Sequence, residues 1–428
     1  MHNRTETPAF KNIDSFSIKE YQLKRLDSGL DIYLIEDPTS DVLKVDFFYN
    51  GGVRSEPANG IANAAASLLT EGTSKMSAEE IANAFDFYGA FIQASANKDE
   101  SQVTIYCLPK FFKQCSILLK DILIDAQYPE KEIYIYKNNA TQSLIVKEKK
   151  TSFLSKRRYS NLLFGHNNSY GRSVNQEDIK NISRETILAF GKNVYSARPV
   201  YVMAAGKIPD GFVEDIDVLF RGLAEAFVSN IKFEEPITLG TSENLNWVEV
   251  PGANQCSIRM GKLTINRSHK DFRELTVVNL FLGGFFGSRL MKNIREEKGL
   301  TYGIYSDIDP KQKATSFNIS VELNKDSVMI GIEEIRKELK RLRETPATIY
   351  ELDIAKNYYL GSFLRGFDGV FSLSNFAKTI IDYKLNYEYY SGYLNVIQSL
   401  TPERVQQLAS EYLHEDSMIT VVAGPKNE

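Results

Sequence analysis

Histidine is scarce in this chain. Its 428 residues include four, His2, His166, His269 and His414, and no two lie within one or two helical turns of each other. A zinc site built from two imidazoles on one helix face needs them three or four residues apart, so no site of that type is available. Cysteine is equally sparse. Cys107, Cys115 and Cys256 make no CxxC pair, which argues against a disulfide framework and fits a reducing compartment. No apolar run approaches the roughly 20 residues of a membrane helix. The first residues, MHNRTETPAFKN, carry no apolar signal core. A cytoplasmic protein without membrane contact is expected. Neither sign of charge dominates: 51 Lys and Arg stand against 55 Asp and Glu, a net −4, so nucleic acid is not an expected partner. No GxSxG motif or Cys-His constellation marks a nucleophilic hydrolase. Gly283, Gly284 and Gly287 do not form GxGxxG and no GK[ST] follows, so they do not make a phosphate loop.

What the chain does contain is ordinary globular material, 43% apolar and 25% charged, in a length that calls for two or more domains. It is written twice. SRETILAFGKNVYSARPVYVMAAGK begins at Ser183, and TPERVQQLASEYLHEDSMITVVAGPK begins at Thr401. Thr401 follows Ser183 by 218 residues, and Gly424 follows Gly206 by the same 218. Each copy opens on a capping hydroxyl, continues as an amphipathic helix and ends in a β-branched strand. A second pair agrees: SQVTIYCL (101–108) and SFNISVEL (316–323) each alternate like a strand and precede a helix, at 111–124 and 328–342.

The same elements in the same order imply two homologous domains, 1–232 and 247–428, joined by a polar link at 233–246 (FEEPITLGTSENLN). The fold class is α+β. Alternating rather than wholly apolar strands favour mostly antiparallel sheets with helices on one face. Leu43, Val45, Phe47 and Tyr49 share the core face of one strand. Ser77 and Glu80 form a capping box for a helix over 78–88, which Gly89 stops.

The stretch GGVRSEPANGIANAAASLLTEGT, residues 51–73, resembles the start of the M16 (pitrilysin/insulinase-like) zinc peptidases. In that family a similar frame surrounds the inverted zinc motif His-x-x-Glu-His. The frame survives in Arg54, Glu56, Gly60, Ala62, Gly72 and Thr73, but the motif positions hold Asn63, Ala66 and Ser67. An amide and a hydroxyl are poor zinc ligands, and a methyl group cannot act as general base. The family's third ligand, a Glu, falls in the neighbourhood TQSLIV, 141–146, which has no carboxylate. Residues 60–69 therefore read as a core helix, with Ala62, Ala65 and Ala66 allowing close packing and Leu68 and Leu69 supplying burial.

FLGGFFGSRLMKNIREEKGLTYGIYS, residues 281–306, resembles the corresponding C-terminal stretch of the same family. There, an Arg and a Tyr seven residues apart reach a zinc site in the other half or in another subunit. Here they are Arg295 and Tyr302. The resemblance places Arg295 near the end of a helix that starts at Ser288 and is stopped by Gly299, Tyr302 at the start of a strand, and the glycines where backbone approaches closely. A fixed guanidinium and phenol can stabilise the oxyanion of peptide hydrolysis. The plainer readings are a solvated ion pair of Arg295 with Glu296 or Glu297, and a tyrosine packed over the core. The basic run KEKKTSFLSKRR, 147–158, is either a solvated face or a chamber lining that favours acidic peptides.

The resemblance implies a clam-like pair of LuxS/MPP-like metallohydrolase domains acting as the non-catalytic subunit of a heterodimeric M16B-type peptidase. Its catalytic contribution is Arg295 and Tyr302. It holds no cofactor or metal itself; zinc belongs to a sister subunit with an intact motif, and the substrate is an unfolded peptide. A homodimer is open to it when the sister is absent. One rival is a structural or assembly subunit, as similar core proteins of respiratory complexes suggest. Another is a self-sufficient peptidase whose unusual metal site brings His166 and His269 together.

Overall fold

The computed structural model describes residues 16–224 and 245–426. Residues 233–244 of the expected link lie outside the described residues, while Leu245 and Asn246 open a strand. Eleven strands are described: β1 (Gln22–Arg25), β2 (Asp31–Glu36), β3 (Leu43–Tyr49), β4 (Phe91–Ala96), β5 (Ser101–Cys107), β6 (Tyr201–Gly206), β7 (Leu245–Glu249), β8 (Gln255–Thr264), β9 (Ile304–Pro310), β10 (Thr315–Asn324) and β11 (Ile419–Gly424). They form a six-stranded sheet, β1-β2-β6-β3-β5-β4, and a five-stranded sheet, β7-β11-β8-β10-β9.

The duplication seen in the sequence is a duplication of topology. Leaving β1 aside, β2-β6-β3-β5-β4 corresponds strand for strand to β7-β11-β8-β10-β9. The pairs β2–β6 and β7–β11 are parallel, and every other pair in both sheets is antiparallel. Ser183 and Thr401 cap their helices as expected, accepting from the amides of Thr186 and Arg404. Ser77 and Glu80 form a complete capping box for helix Ala78–Phe87, and Gly89 follows in the left-handed region.

Each sheet buries one face against helices of its own half. Leu43, Val45, Phe47 and Tyr49 join the first core with helices Ile61–Ser67, Phe112–Asp125 and Arg184–Val194. Ile258, Met260, Phe317 and Ile319 join the second with Phe272–Asn279, Val328–Glu344 and Pro402–Tyr412.

The other face was expected to be free of helices, and it is not. Every residue of β3 is buried, on both sides of the strand. The cover comes from the opposite half. Helix Val370–Asp382 lays Val370 and Ala377 on Ile35, Phe48, Tyr201, Met203 and Ala205 of the first sheet. Helix Thr151–Phe164 lays Tyr159, Leu163 and Phe164 against Val421 of the second. Its Ser155 hydroxyl bonds that of Ser257 at 3.0 Å, and Tyr159 donates to the Phe317 carbonyl at 3.3 Å.

A buried polar cluster pins the first of these crossings. Lys378 pairs with Glu100 at 2.6 Å and with Asp382, while Tyr201 donates to Asp382 at 2.8 Å. The Lys378 ammonium also lies over the Phe48 ring at 4.9 Å. At the centre the two equivalent hairpin turns meet. Asp99 accepts from Tyr170 at 2.6 Å and from the Gln312 amide at 3.4 Å, and the Lys313 amide donates to Tyr170. Among the described residues no helix is long and apolar enough to cross a membrane.

Phe48→Ala, on the face covered by the exchanged helix, is expected to cost about 3–5 kcal/mol, as much as Phe47→Ala on the core face. Urea midpoints of the two variants check this. A loss of under about 0.5 kcal/mol for Phe48→Ala, the usual effect at a surface position, would show that its face is open.

Candidate functional site

The helix Ile61–Ser67 forms because its residues are small and its start is satisfied from outside. Gly60 precedes it at φ 90°, a left-handed conformation that side chains resist. The Glu56 carboxylate accepts from the Ala62 amide at 2.9 Å and from Arg172 at 3.1 Å. Ala62, Ala65, Ala66, Leu68 and Leu69 are buried, as expected of a core helix. Asn63 and Ser67, one turn apart, are exposed. Two histidines at those positions would face outward together, whereas the position of the general base, Ala66, is packed inside.

Asn63 lines a cavity of about 310 Å³ with Glu56, Lys98 and Arg172. Lys98 donates to the carbonyls of Ser169 at 2.7 Å and Arg172 at 3.2 Å. Burial, aided by the Arg172 and Lys311 cations and opposed by Glu56, lowers its pKa to about 8. Burial raises that of Glu56, outweighing the Ala62 amide and the Arg172 guanidinium. The cavity thus sets two basic side chains against one carboxylate.

The residues present do not fit zinc. The donors are an amide and a hydroxyl, residues 141–146 on helix Glu130–Glu148 supply no carboxylate, and a dication entering beside Lys98 and Arg172 would be repelled. Among the described residues no group of three or more His, Cys, Asp or Glu is placed to hold a metal. His166 is exposed beyond the exchanged helix, and His269 is held by the Asp271 amide at 3.2 Å in the second half. No contact joins them among the described residues, so the structure gives no support to a relocated site.

Arg295 lies in the turn Met291–Glu297, where the helix is widened to π geometry. It makes no ion pair with Glu296 or Glu297 among the described residues. Its guanidinium rests over the Phe286 ring at 4.4 Å. Gly299 bonds back to the Arg295 carbonyl at 3.1 Å and ends the helix. The strand expected at Tyr302 begins two residues later, at Ile304. Thr301 fixes the intervening loop: its hydroxyl donates to the Glu322 carbonyl at 2.8 Å and accepts from the Gly303 amide at 3.2 Å. Tyr302 is carried on that anchored loop with 92% of its surface exposed, so it is not packed over the core.

Tyr302 rims a cavity of about 370 Å³ on the face of the second sheet turned toward the first half. The guanidinium that shares this cavity is Arg259, not Arg295, and no contact joins Arg295 to Tyr302 among the described residues. Arg259, Ser320 and Tyr305 form one cross-strand row through β8, β10 and β9, and all three line the cavity. Arg259 Nε is buried without a partner among the described residues. The sequence reading missed Arg259 and Tyr305. The signal was available in the alternation of β8, where Ile258 and Met260 turn to the core and leave Arg259 on the opposite side.

Two other motifs have structural roles. A side chain at Gly283 would collide with Ser306, Cβ to Oγ 2.6 Å, so the glycine permits close backbone approach. The basic run 147–158 is a corner between two helices, not one face: Arg157 folds back on Glu148 at 2.7 Å, and Ser155 is buried in the other half.

Comparison with known proteins gives consistent matches. Residues 31–173 match the family described as Insulinase (Peptidase family M16), and residues 181–359 match Peptidase M16 inactive domain. A Bacillus subtilis protein named uncharacterized zinc protease YmxG is 25% identical over 96% of this chain and 99% of its own. A Helicobacter pylori protein named non-peptidase homolog YmxG is 24% identical over 74% of this chain and 73% of its own. The solved structure of a peptidase M16 inactive domain from Pseudomonas fluorescens superposes with a TM-score of 0.83 at 22% identity, over 95% of this chain and 98% of that one. That likeness concerns the fold.

Combining Asn63→His, Ala66→Glu and Ser67→His is expected to restore neither zinc nor hydrolysis, because the third ligand and the charge balance stay wrong. Metal analysis after dialysis should find well under one zinc per chain; stoichiometric zinc with peptidase activity would refute this. In isotope-labelled reductive methylation, one lysine resonance, Lys98, should titrate near pH 8. Loss of that transition in Lys98→Arg identifies it; titration of every lysine in the ordinary range would contradict the buried placement.

Proposed function

The chain belongs to the peptidase M16 family as a member without the family's metal site, and from that premise we propose that it is the non-catalytic subunit of a heterodimeric zinc peptidase. In this reading a sister chain carries the intact His-x-x-Glu-His motif and the zinc. This chain supplies half of a peptide-binding chamber, with Arg295 and Tyr302 directed at the sister's reacting carbonyl. The pair acts in the cytoplasm, where Cys107, Cys115 and Cys256 stay as free thiols.

One observation carries the proposal. Tyr302 is a phenol projected into solvent from a loop fixed by Thr301, beside a cavity lined with polar groups. An exposed aromatic on an anchored loop gains nothing from burial in the free chain, and functional side chains are commonly held this way. Its hydroxyl is available as a donor to a developing oxyanion. Among the described residues the edge strands β4 and β9 leave one side unpaired, which suits an unfolded peptide joining either sheet as a strand read through its backbone.

The alternative is a structural or assembly subunit, similar to respiratory-complex core proteins, with no part in proteolysis. One feature favours it: Arg295 stacks on Phe286 and does not meet Tyr302, so the two do not form a ready-made couple in the isolated chain. Under the peptidase reading, Arg295 leaves Phe286 when the sister docks.

The purified chain alone is expected to cleave no unfolded peptide, and mixing it with its sister should produce chelator-sensitive activity. Tyr302→Phe or Arg295→Ala in this chain should lower kcat of the mixture by roughly 100-fold or more while the complex still forms. Full activity with Arg295→Ala and Tyr302→Ala combined would refute the shared site. A stable complex that never cleaves peptide would favour the assembly role.

A further inference from the structure

The second half carries a cavity of about 550 Å³ that the proposed role does not use. It lies against helix Phe272–Asn279 and the π-helical turn Leu280–Gly284 that continues it. That helix follows β8 as Ile61–Ser67 follows β3, so by the duplication this is the counterpart of the Asn63 cavity in the first half. The two have diverged. The first is lined by amides and charges; the second is walled by rings, among them Phe272, Tyr359, Phe363, Phe376, Tyr390 and Tyr393. Its size is that of a small-molecule or peptide-residue site.

Two polar groups in these walls are incompletely satisfied among the described residues. The first is Arg267. Its guanidinium sits 5.4 Å from the Phe272 ring and 5.2 Å from the Tyr383 ring and hydrogen-bonds the Tyr383 hydroxyl, while its Nε is buried without a partner among the described residues. No carboxylate pairs with it among the described residues; the ionisable groups that act on it are Tyr383, Tyr389, Tyr390 and Tyr393. Asp307 also borders the cavity, but its carboxylate accepts from Asn318 at 2.9 Å on the opposite side of the sheet. A half-buried cation without a counter-ion is costly, and cation–π contacts offset only part of that cost. The second group is Asn279, which is buried. Its amide nitrogen donates to the Ser306 carbonyl at 3.2 Å, while its Oδ1 has no donor among the described residues.

A ring-walled cavity with a cation seeking an anion and an acceptor seeking a donor specifies a ligand. We propose that it binds an apolar carboxylate bearing an N–H group, the chemistry of a peptide chain that ends in an aromatic or large aliphatic residue. The carboxylate meets Arg267, the side chain enters among the rings, and an N–H reaches Asn279. This site is separate from the Tyr302 cavity and does not depend on a sister chain.

Calorimetric titration of the full chain with N-acetyl-phenylalanine and with its amide tests the charge. The acid should bind at least about tenfold tighter than the amide, the usual worth of a charge-assisted hydrogen bond. Arg267→Gln should bring the acid down to the level of the amide, and Arg267→Lys should keep part of the difference. Thr276→Trp, which fills the cavity, should abolish binding of both probes with the thermal unfolding temperature retained. A tetra-alanine peptide extended by a C-terminal Phe separates the sources: binding as tight as the acid, or tighter, supports recognition of a peptide end, and failure to bind limits the site to free small carboxylates and overturns that assignment. Equal affinity for acid and amide, an Arg267→Gln variant that binds the acid like the parent, or no binding of either probe at millimolar concentration would overturn the proposal altogether.

Discussion

The structure rests on a reciprocal exchange of helices. Each sheet has one apolar face covered by its own half, and an apolar patch on the other face, broad on the first sheet (Ile35, Phe48, Tyr201, Met203) and narrow on the second, where Val421 lies on the same face as Ser257, Arg259 and Ser320. Helix Val370–Asp382 completes the first sheet and helix Thr151–Phe164 completes the second. Burying Phe48, Tyr201 and Met203 at the first crossing and Tyr159, Leu163 and Phe164 at the second is worth far more than the surface ion pairs of the molecule. The halves are therefore bound by the same force that folds each of them. The cluster of Lys378, Glu100, Asp382 and Tyr201 sets the register of one crossing, and the contact of Asp99 with residue 312 sets the meeting of the two hairpin turns.

This arrangement explains a motif frame that outlives its chemistry. Glu56 bridges the start of helix Ile61–Ser67 and Arg172. Gly60 takes a conformation that favours glycine. Thr73 Oγ1 accepts from the amides of Lys75 and Met76. These residues hold the helix in place whether or not a metal sits beside it. The metal-ligand and general-base positions answer to a different constraint and hold Asn63, Ser67 and Ala66 instead, with Asn63 lining a cavity where Lys98 and Arg172 supply positive charge. The fold and the reaction are separable in this family because different residues carry them.

Much of the architecture was legible in the sequence because it is periodic. The 218-residue repeat, the alternation in β3, β5 and β10, and the caps at Ser77, Ser183 and Thr401 are local signals that packing reinforces. The exchange of helices was not legible. Thr151–Phe164 shows its buried positions only in relation to a sheet more than 100 residues away, and its basic flank reads as a solvated face until Arg157 is seen folding back on Glu148. The sites divide in the same way. Loss of the metal ligands follows from residue identity alone. The position of Arg295 over Phe286, and the row of Arg259, Ser320 and Tyr305, depend on a widened helical turn and on cross-strand register, which no spacing along the chain records. Arg267 and Asn279 stand 12 positions apart in unremarkable contexts and gain meaning only as members of one ring-walled cavity.

The central claim is that this polypeptide has kept the peptidase fold and given up the peptidase metal. Zinc content of the unmodified protein, purified without chelator and measured by plasma mass spectrometry, tests that claim most directly. A value well below one zinc per chain, unchanged after incubation with excess zinc and desalting, is the predicted result. One tightly held zinc per chain, lost together with hydrolytic activity on chelation, would contradict it.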